Sequence, residues 1–543
     1  MREPAATSVR HRRPRRLGVA LAAAALAAAA TAAAAGATAK HDALLVRRGV
    51  THALAEQWVK PADAQRYRKD VAVAVRESSV LPRLRAAVIA SQLAQLAAVW
   101  DSYTSPRALA LFTQLEQNLA YFETHPLPPH RIDVTDQDGV VYRWFPGLGL
   151  EFHPLAEFGA LNAAVAAKDA DRTRTLADAL VARAIPRGGR LIWEYLFPFG
   201  GGRAPWASGM AQAVAAQALA RSAALLADED LVGTAERAYA SVPPLVFTVR
   251  GGPWIRLYAF DSEVVLNAQL QTIVSLLDYA KASGDADAAA LAQRLDAQAQ
   301  ALLPRFDTGD WSRYELGGGY APREYQLYVT KLLAKLAAMT KDPVWTAASQ
   351  RFHAYYYDPP QVTQTAPPAP IYPQPRDGYL DNATIQLTLS QRASVSVAVG
   401  GQVLSFRLGR GAHTITWKPP LNLAAGSYPI QVSAANYAGR RATFKLAPVV
   451  VNWDTASPPV TSAQLQAGTL SWQANDPGTP WLALKVLLVD PAGINPPQTL
   501  DLGHQPTSGS AAVTVPPGTW QGTLQATNSA GLTTSFPLGT ITA

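Results

Sequence analysis

The 543-residue chain has no cysteine, which excludes disulfides, thiolate metal sites and a cysteine nucleophile. Charge is scarce too: Asp, Glu, Lys and Arg make up 16% of the residues and hydrophobic types 48%. That balance excludes extended disorder and leaves stability to packing. No glutamate follows Glu324, so carboxylate chemistry in the tail would fall to scattered aspartates. After Ala35 no apolar run is long and uninterrupted enough to span a bilayer. The nine histidines show no metal-ligand spacing, and no metal or cofactor is expected.

Formal charge is +8, from 48 Lys+Arg against 40 Asp+Glu. Residues 1–39 hold six Arg and one acid, a surplus of 6 − 1 = +5, so the remainder carries only 8 − 5 = +3. Bulk charge therefore gives no case for a nucleic-acid partner. The Arg cluster, the apolar run Leu17 to Ala35 and the small residues Ala37-Thr38-Ala39 have the order of a secretory signal peptide cleaved before Lys40. Arg12-Arg13 and Arg15-Arg16 suggest the twin-arginine route. A secreted or envelope-associated protein with no membrane span after cleavage is the expectation.

The texture changes at residue 358. From 40 to 357 the apolar spacing is helical in most segments, as in Leu84–Trp100, Gly209–Ala227, Glu263–Ala282 and Tyr325–Met339. Ser283-Gly284-Asp285 and Thr340-Lys341-Asp342-Pro343 are turns of the length that joins antiparallel helices. Repeated helix hairpins predict an α/α toroid, interrupted by β-hairpins at Arg131–Trp144 and Leu245–Tyr258, the latter turning at Gly251-Gly252. Residues 358–373 read as a proline-rich linker. Beyond it, period-two runs predict two immunoglobulin-like or fibronectin-like sandwiches, 374–447 and 449–543.

Three helical-part segments carry more aromatic and polar residues than packing requires. In Arg203-Ala204-Pro205-Trp206-Ala207-Ser208-Gly209-Met210-Ala211-Gln212, Ser208 is a natural N-cap, while Trp206 and Gln212 sit where a loop feeds a helix. The second runs through Trp254, Arg256 and Tyr258 to Asn267. The third, Leu303 to Tyr325, gathers Arg305, Arg313, Arg323, Asp307, Asp310, Glu315, Glu324, Trp311, Tyr314, Tyr320 and Tyr325. Polar loops held on a rigid scaffold are where sites form. Each residue also has a packing role open to it: tryptophans pack, aspartates cap turns, and Tyr325 opens an amphipathic helix.

The motifs Pro205-Trp206-Ala207-Ser208-Gly209-Met210-Ala211-Gln212, Val265-Leu266-Asn267, Leu277-Asp278-Tyr279, Leu303-Pro304 with Asp307-Thr308-Gly309, and Tyr314 occur in one order. Together they make 196–352 resemble the C-terminal catalytic domain of D-glucuronyl C5-epimerases. Trp144–Asn162, with Phe145-Pro146-Gly147 and His153-Pro154-Leu155, loosely resembles the family's upstream region. The resemblance implies an α/α toroid acting on a glucuronate-containing, heparosan-like anionic polysaccharide and converting D-glucuronate to L-iduronate. Tyr258, Tyr314 and Tyr325 align with the family's catalytic tyrosines. Arg256-Leu257-Tyr258-Ala259 stands where the family has Glu-Glu-Tyr-Pro, Gly317 replaces an Arg, and Gln326 replaces a His.

C5 epimerisation removes a proton α to a carboxylate and returns one on the opposite face. It needs two acid/base groups and a cationic or hydrogen-bonding clamp for the developing charge. Arg256, Arg313 and Arg323 are candidates for that clamp. Trp206 and Trp311 are candidates to stack on sugar rings, and Gln212 and Asn267 are candidate polar contacts. Two other readings stay open. One is a lyase, or a hydrolase using two of Asp307, Asp310, Glu315 and Glu324; the other is a polysaccharide-binding protein without turnover.

Overall fold

The computed structural model describes residues 32–543. The signal-peptide reading falls almost wholly outside these residues; the first described helix, α1 (Ala32–Ala55), runs through Ala37-Thr38-Ala39. The chain divides into two compact units between Phe352 and His353.

The first unit is helical. Helices α2 (Pro61–Val80) and α3 (Arg83–Ala98) pack on α1, and α4 (Ser105–Thr124) packs on α2 and α3. A three-stranded sheet follows: β1 (Asp133–Thr135), β2 (Val141–Phe145) and β3 (Gly149–Phe152). After it come α5 (Pro154–Ala166), α6 (Ala170–Val181), and the hairpin β4 (Ile185–Arg187) and β5 (Arg190–Ile192). The chain continues through α7 (Gly209–Leu226), α8 (Glu229–Tyr239), and the hairpin β6 (Val246–Val249) and β7 (Gly252–Ile255). Helices α9 (Leu266–Ser283), α10 (Ala286–Phe306), α11 (Arg323–Thr340) and α12 (Pro343–Tyr357) complete the helical set. Helix α5 packs on α7, α7 on α9 and α9 on α11, while α6, α8 and α10 hairpin with their predecessors. That alternation is the α/α toroid layout predicted from the helix hairpins.

Local chemistry explains the hairpins. Gly284 ends α9 in a left-handed conformation (φ 75°), and Asp285 caps α10 by accepting the Ala288 N–H at 2.9 Å. Ser208, as predicted, caps α7 by accepting from Ala211 N–H. A Cβ on Gly209 would come within 2.9 Å of the Arg256 carbonyl oxygen, so only glycine lets the loop after β7 close on the start of α7. The β6–β7 turn lies one residue earlier than Gly251-Gly252: Val249 pairs with Gly252, and Arg250 (φ 47°) and Gly251 (φ 89°) form the two-residue loop. Gln269, which lies off the apolar stripe of α9 in the sequence, is fully buried. Its amide donates to the Leu295 carbonyl while its oxygen accepts from Ile255 N–H, stitching β7 to α9 and α10.

The unit boundary falls within α12, and beyond the end of that helix the second unit is β. One sandwich pairs a four-stranded sheet, β11 (Gln402–Leu408), β10 (Ala393–Val399), β13 (Gly426–Ala435) and β14 (Arg441–Val451), with a three-stranded sheet, β12 (Gly411–Trp417), β9 (Ala383–Leu389) and β8 (Val362–Ala366). Its core holds Val395, Val397, Val399, Ile385, Leu387 and Trp417. The other combines β15 (Val460–Gln466), β16 (Thr469–Ala474) and β19 (Ser508–Ala512) with β18 (Gln498–Gln505), β17 (Leu482–Val489), β20 (Thr519–Thr527) and β21 (Thr533–Thr542), around Leu484, Val486, Trp472 and Trp520.

Two boundaries move. The linker read at 358–373 contains β8, which pairs with β9, because Val362–Ala366 supplies free N–H groups between the prolines. Val449–Val451 ends β14 and pairs with Gly426–Tyr428, so the first sandwich extends past 447.

Candidate functional site

A cavity of about 700 Å³ opens in the helical unit. Tyr258, Tyr325, Trp206 and Asn267, all singled out in the sequence, line it. Tyr258 follows β7, Tyr325 lies in the first turn of α11, and Asn267 lies in the first turn of α9. Tyr314 stands behind them: its ring meets Tyr325 edge-on with centroids 4.9 Å apart, and its hydroxyl hydrogen-bonds Tyr258. The three tyrosines of the motif alignment therefore form one cluster. Trp206 stacks on Tyr195 (4.1 Å between centroids, 3° between planes) and meets Tyr258 edge-on at 5.5 Å. Its indole N–H donates to the Phe197 carbonyl. With Phe145 and Phe199, these rings give the cavity an aromatic wall suited to a pyranose face.

Burial pushes the Tyr258 phenol up, and the neighbouring Tyr325 adds to it, while the hydrogen bond from Tyr314 works the other way. Burial pushes Tyr314 up as well, with Tyr258 and Tyr325 adding. The two hydroxyls share a hydrogen bond, so a phenolate on Tyr258 would be held by the Tyr314 hydroxyl. Both phenols rest protonated at neutral pH.

The cations at the cavity are Arg131 and Arg143, not the arginines nominated from sequence. Arg143, on β2, holds Asp133 of β1 in a bidentate pair, with both bonds at 2.7 Å. His153 also lines the cavity and caps α5 by accepting from Ala156 N–H through Nδ1. Burial, helped by Arg143, lowers the imidazole to about 3. The ring is therefore neutral across the physiological range, with Nε2 carrying the proton. Tyr328 completes this side; burial raises it to about 12, and its hydroxyl donates to Gln271 at 2.6 Å.

Several nominated residues have structural duties instead. Gln212 is buried and its amide group is clamped to the Trp193 backbone, accepting from its N–H and donating to its carbonyl. Arg256 donates to the Asp261 carbonyl and lies over the Phe247 ring. Arg313 donates to the Gly318 carbonyl, and buried Trp311 donates to the Ala321 carbonyl, so both brace the loop before α11. Arg323 is exposed at the first position of α11 and is not part of the cavity wall. Of the four carboxylates weighed for a hydrolase, only Glu324 lines the cavity. Asp307 pairs with Arg351 and accepts from Gly309 N–H, Asp310 accepts from Thr308, and Glu315 bridges to Val265 through its backbone. Among the described residues, no group of three His, Asp or Glu is placed to hold a metal.

An aromatic cavity that carries Arg131 and Arg143 beside Asp133 and Glu324, built on paired helices, suits a sugar. Comparison supports that class: this is a carbohydrate-modifying protein. Residues 188–354, under a third of the chain, match the family described as D-glucuronyl C5-epimerase C-terminus. No curated protein matches the chain. Among solved structures, an endoglucanase from Komagataeibacter sucrofermentans is 14% identical, with 38% of this chain and 71% of that one covered and a TM-score of 0.28. A GH76 α-mannanase from Bacteroides thetaiotaomicron is 13% identical, covering 37% and 59%, at a TM-score of 0.30. Fibronectin(III)-like modules from Clostridium thermocellum are 15% identical, covering 33% and 91%, at 0.17. No helix among the described residues is long and apolar enough to cross a membrane.

Proposed function

We propose that the protein is an exported uronate C5-epimerase, converting D-glucuronate to L-iduronate within an anionic polysaccharide. The observation that carries this reading is the convergence of Tyr258, Tyr314 and Tyr325 at one cavity that also holds Arg131 and Arg143. Tyr258 takes the C5 proton as a phenolate held by the Tyr314 hydroxyl, and Tyr325 returns a proton on the other face of the ring. Arg143 and Arg131 hold the substrate carboxylate as charge builds on it, and the His153 Nε2–H is a further donor. Trp206 supports the sugar ring and Asn267 contacts its hydroxyls.

The raised phenols set a condition. A Tyr258 phenolate is a minor species at neutral pH, so the rate rises about tenfold per pH unit until a cation or the bound substrate relieves it. The same observation favours a second reading, a glycan-binding protein without turnover, since protonated phenols donate well to sugar oxygens. Incubation with unsulfated heparosan and product analysis by NMR separates the outcomes. L-iduronate supports epimerisation, an unsaturated uronate reveals a lyase, and an unaltered chain that nevertheless binds leaves the binding reading standing.

A further inference from the structure

A second cavity, about 420 Å³, shares Trp206 as a wall with the tyrosine cavity. Arg187, Arg190 and Arg203 line it. The β4–β5 hairpin turns at Gly188 and Gly189, both at positive φ, which sets Arg187 directly opposite Arg190. Like charges opposed across two strands destabilise a hairpin. The one acid lining this cavity, Glu194, is nearly fully buried and is held by Arg107 in a bidentate pair before Arg187 joins it. Glu194 faces both Arg107 and Arg187, and Arg190 donates to the Arg187 carbonyl, so Arg107, Arg187, Arg190 and Arg203 together outnumber this one acid and leave the cavity a surplus of positive charge. Phe260, 39% exposed, lies beside them and packs edge-on against Trp206 at 5.5 Å.

We propose that Arg187, Arg190 and Arg203 form a second anion-binding subsite, which takes the carboxylate of another acidic sugar on the same polysaccharide while Phe260 meets that sugar's apolar face. The shared Trp206 wall makes the two cavities neighbours, so one extended chain occupies both. This deepens the polysaccharide reading above and rests on it. With Arg187 already held by Glu194, a bound carboxylate is a partner for Arg190 and Arg203, which gives the site a preference for long, regularly acidic chains over short ones.

The test uses the full chain, an unsulfated heparosan octasaccharide, its carboxyl-reduced form and a heparosan tetrasaccharide, with affinity measured by calorimetry. Wild type is expected to bind the acidic octasaccharide at least about tenfold more tightly than the tetrasaccharide or the reduced octasaccharide. Arg190→Gln with Arg203→Gln removes that gain and flattens the salt dependence, and Arg190→Lys with Arg203→Lys restores part of it. Thermal stability of the Gln pair is expected to be unchanged or higher, because a like-charge contact is relieved. If the Gln pair binds the octasaccharide as tightly as wild type, the subsite is overturned and the assignment of the tyrosine cavity stands. If reduction of the carboxyls leaves binding unaltered, the ligand is not an anion and the proposal falls. If wild type binds no uronan of either length, the polysaccharide reading falls and the subsite with it.

Discussion

The helical unit buries Gln92, Gln95, Gln114, Glu151 and Glu157 in its interior, whereas the sandwiches bury alternating valines and leucines closed by Trp417, Trp472 and Trp520. In the helical unit Glu151 accepts from Gln92 and Gln95, each at 2.8 Å, and Gln114 donates to Gln92. Such a network costs desolvation that apolar residues would avoid, and it holds α3, α4 and β3 in one arrangement. β3 in turn pairs with β2, which carries Arg143 at the cavity. In the sandwiches, Asp476 and Asn528 are among the few buried polar groups, and they bond to each other. The difference teaches where precision is needed. The β unit needs only a consistent inside and outside, whereas the helical unit fixes tyrosines and arginines around a cavity.

The sharpest break between the units should come from Tyr258→Phe. It removes the proton acceptor and is expected to lower epimerisation by about 10²–10⁴-fold while oligosaccharide affinity and folding stay close to wild type. Turnover assays with parallel calorimetry check it; an unchanged rate would remove Tyr258 from the chemistry. The converse is Trp520→Ala in the second sandwich, a fully enclosed ring lost from an apolar core. It should destabilise the β unit by about 3–5 kcal/mol and leave the helical unit's melting transition where it was, as read by scanning calorimetry.

Glu151 separates the units by pH. Burial raises its carboxyl from 4.5 to about 7, so the folded state favours the neutral acid. Its contribution to stability is full below pH 4.5 and is lost as pH rises through about 7. Glu151→Gln should therefore gain on wild type by on the order of 2 kcal/mol between pH 4.5 and 8, seen only in the helical transition. His153, held down to about 3, runs in the other direction, with its contribution present above pH 6.5 and lost toward 3. The comparison of mutant with wild type isolates Glu151 from it. The smallest effect is expected from Ser208→Ala, about 1 kcal/mol from the lost cap of α7, in the same transition.

Much of this layout was legible in the sequence. Gly284 followed by Asp285 announces both the end of α9 and the start of α10, and Ser208 announces α7. The period-two runs gave the sandwiches their alternating faces, as in Ala393–Val399. The motif order brought the three tyrosines together before any coordinate did. Other parts were hidden for physical reasons. Helix α2 buries only Ala64, Tyr67, Val71 and Ala74, a thin stripe among charges that gives a weak periodic signal. Gln212 and Trp311 stand within site-like motifs, but their polar atoms hold backbone, which composition does not distinguish from ligand contact.

For the cations at the cavity, proximity in sequence is not proximity in space. Arg256, Arg313 and Arg323 neighbour the tyrosines along the chain, while Arg131 and Arg143 reach the cavity from the β1–β2 hairpin, far upstream. A signal was available. Strand alternation puts Arg143 on the face opposite its buried neighbours Tyr142 and Trp144, and the stretch containing His153 already resembled the family's upstream region.

The central claim is that the helical unit moves a proton at C5 of a uronate through its tyrosine cluster. Incubation of heparosan with the full chain in D2O, followed by mass measurement of the uronate residues, tests it directly. The account predicts deuterium at C5 with wild type, faster as pH rises through the neutral range, and almost none with Tyr258→Phe. Failure of wild type to exchange C5 of any glucuronate-containing polysaccharide that it binds would contradict it.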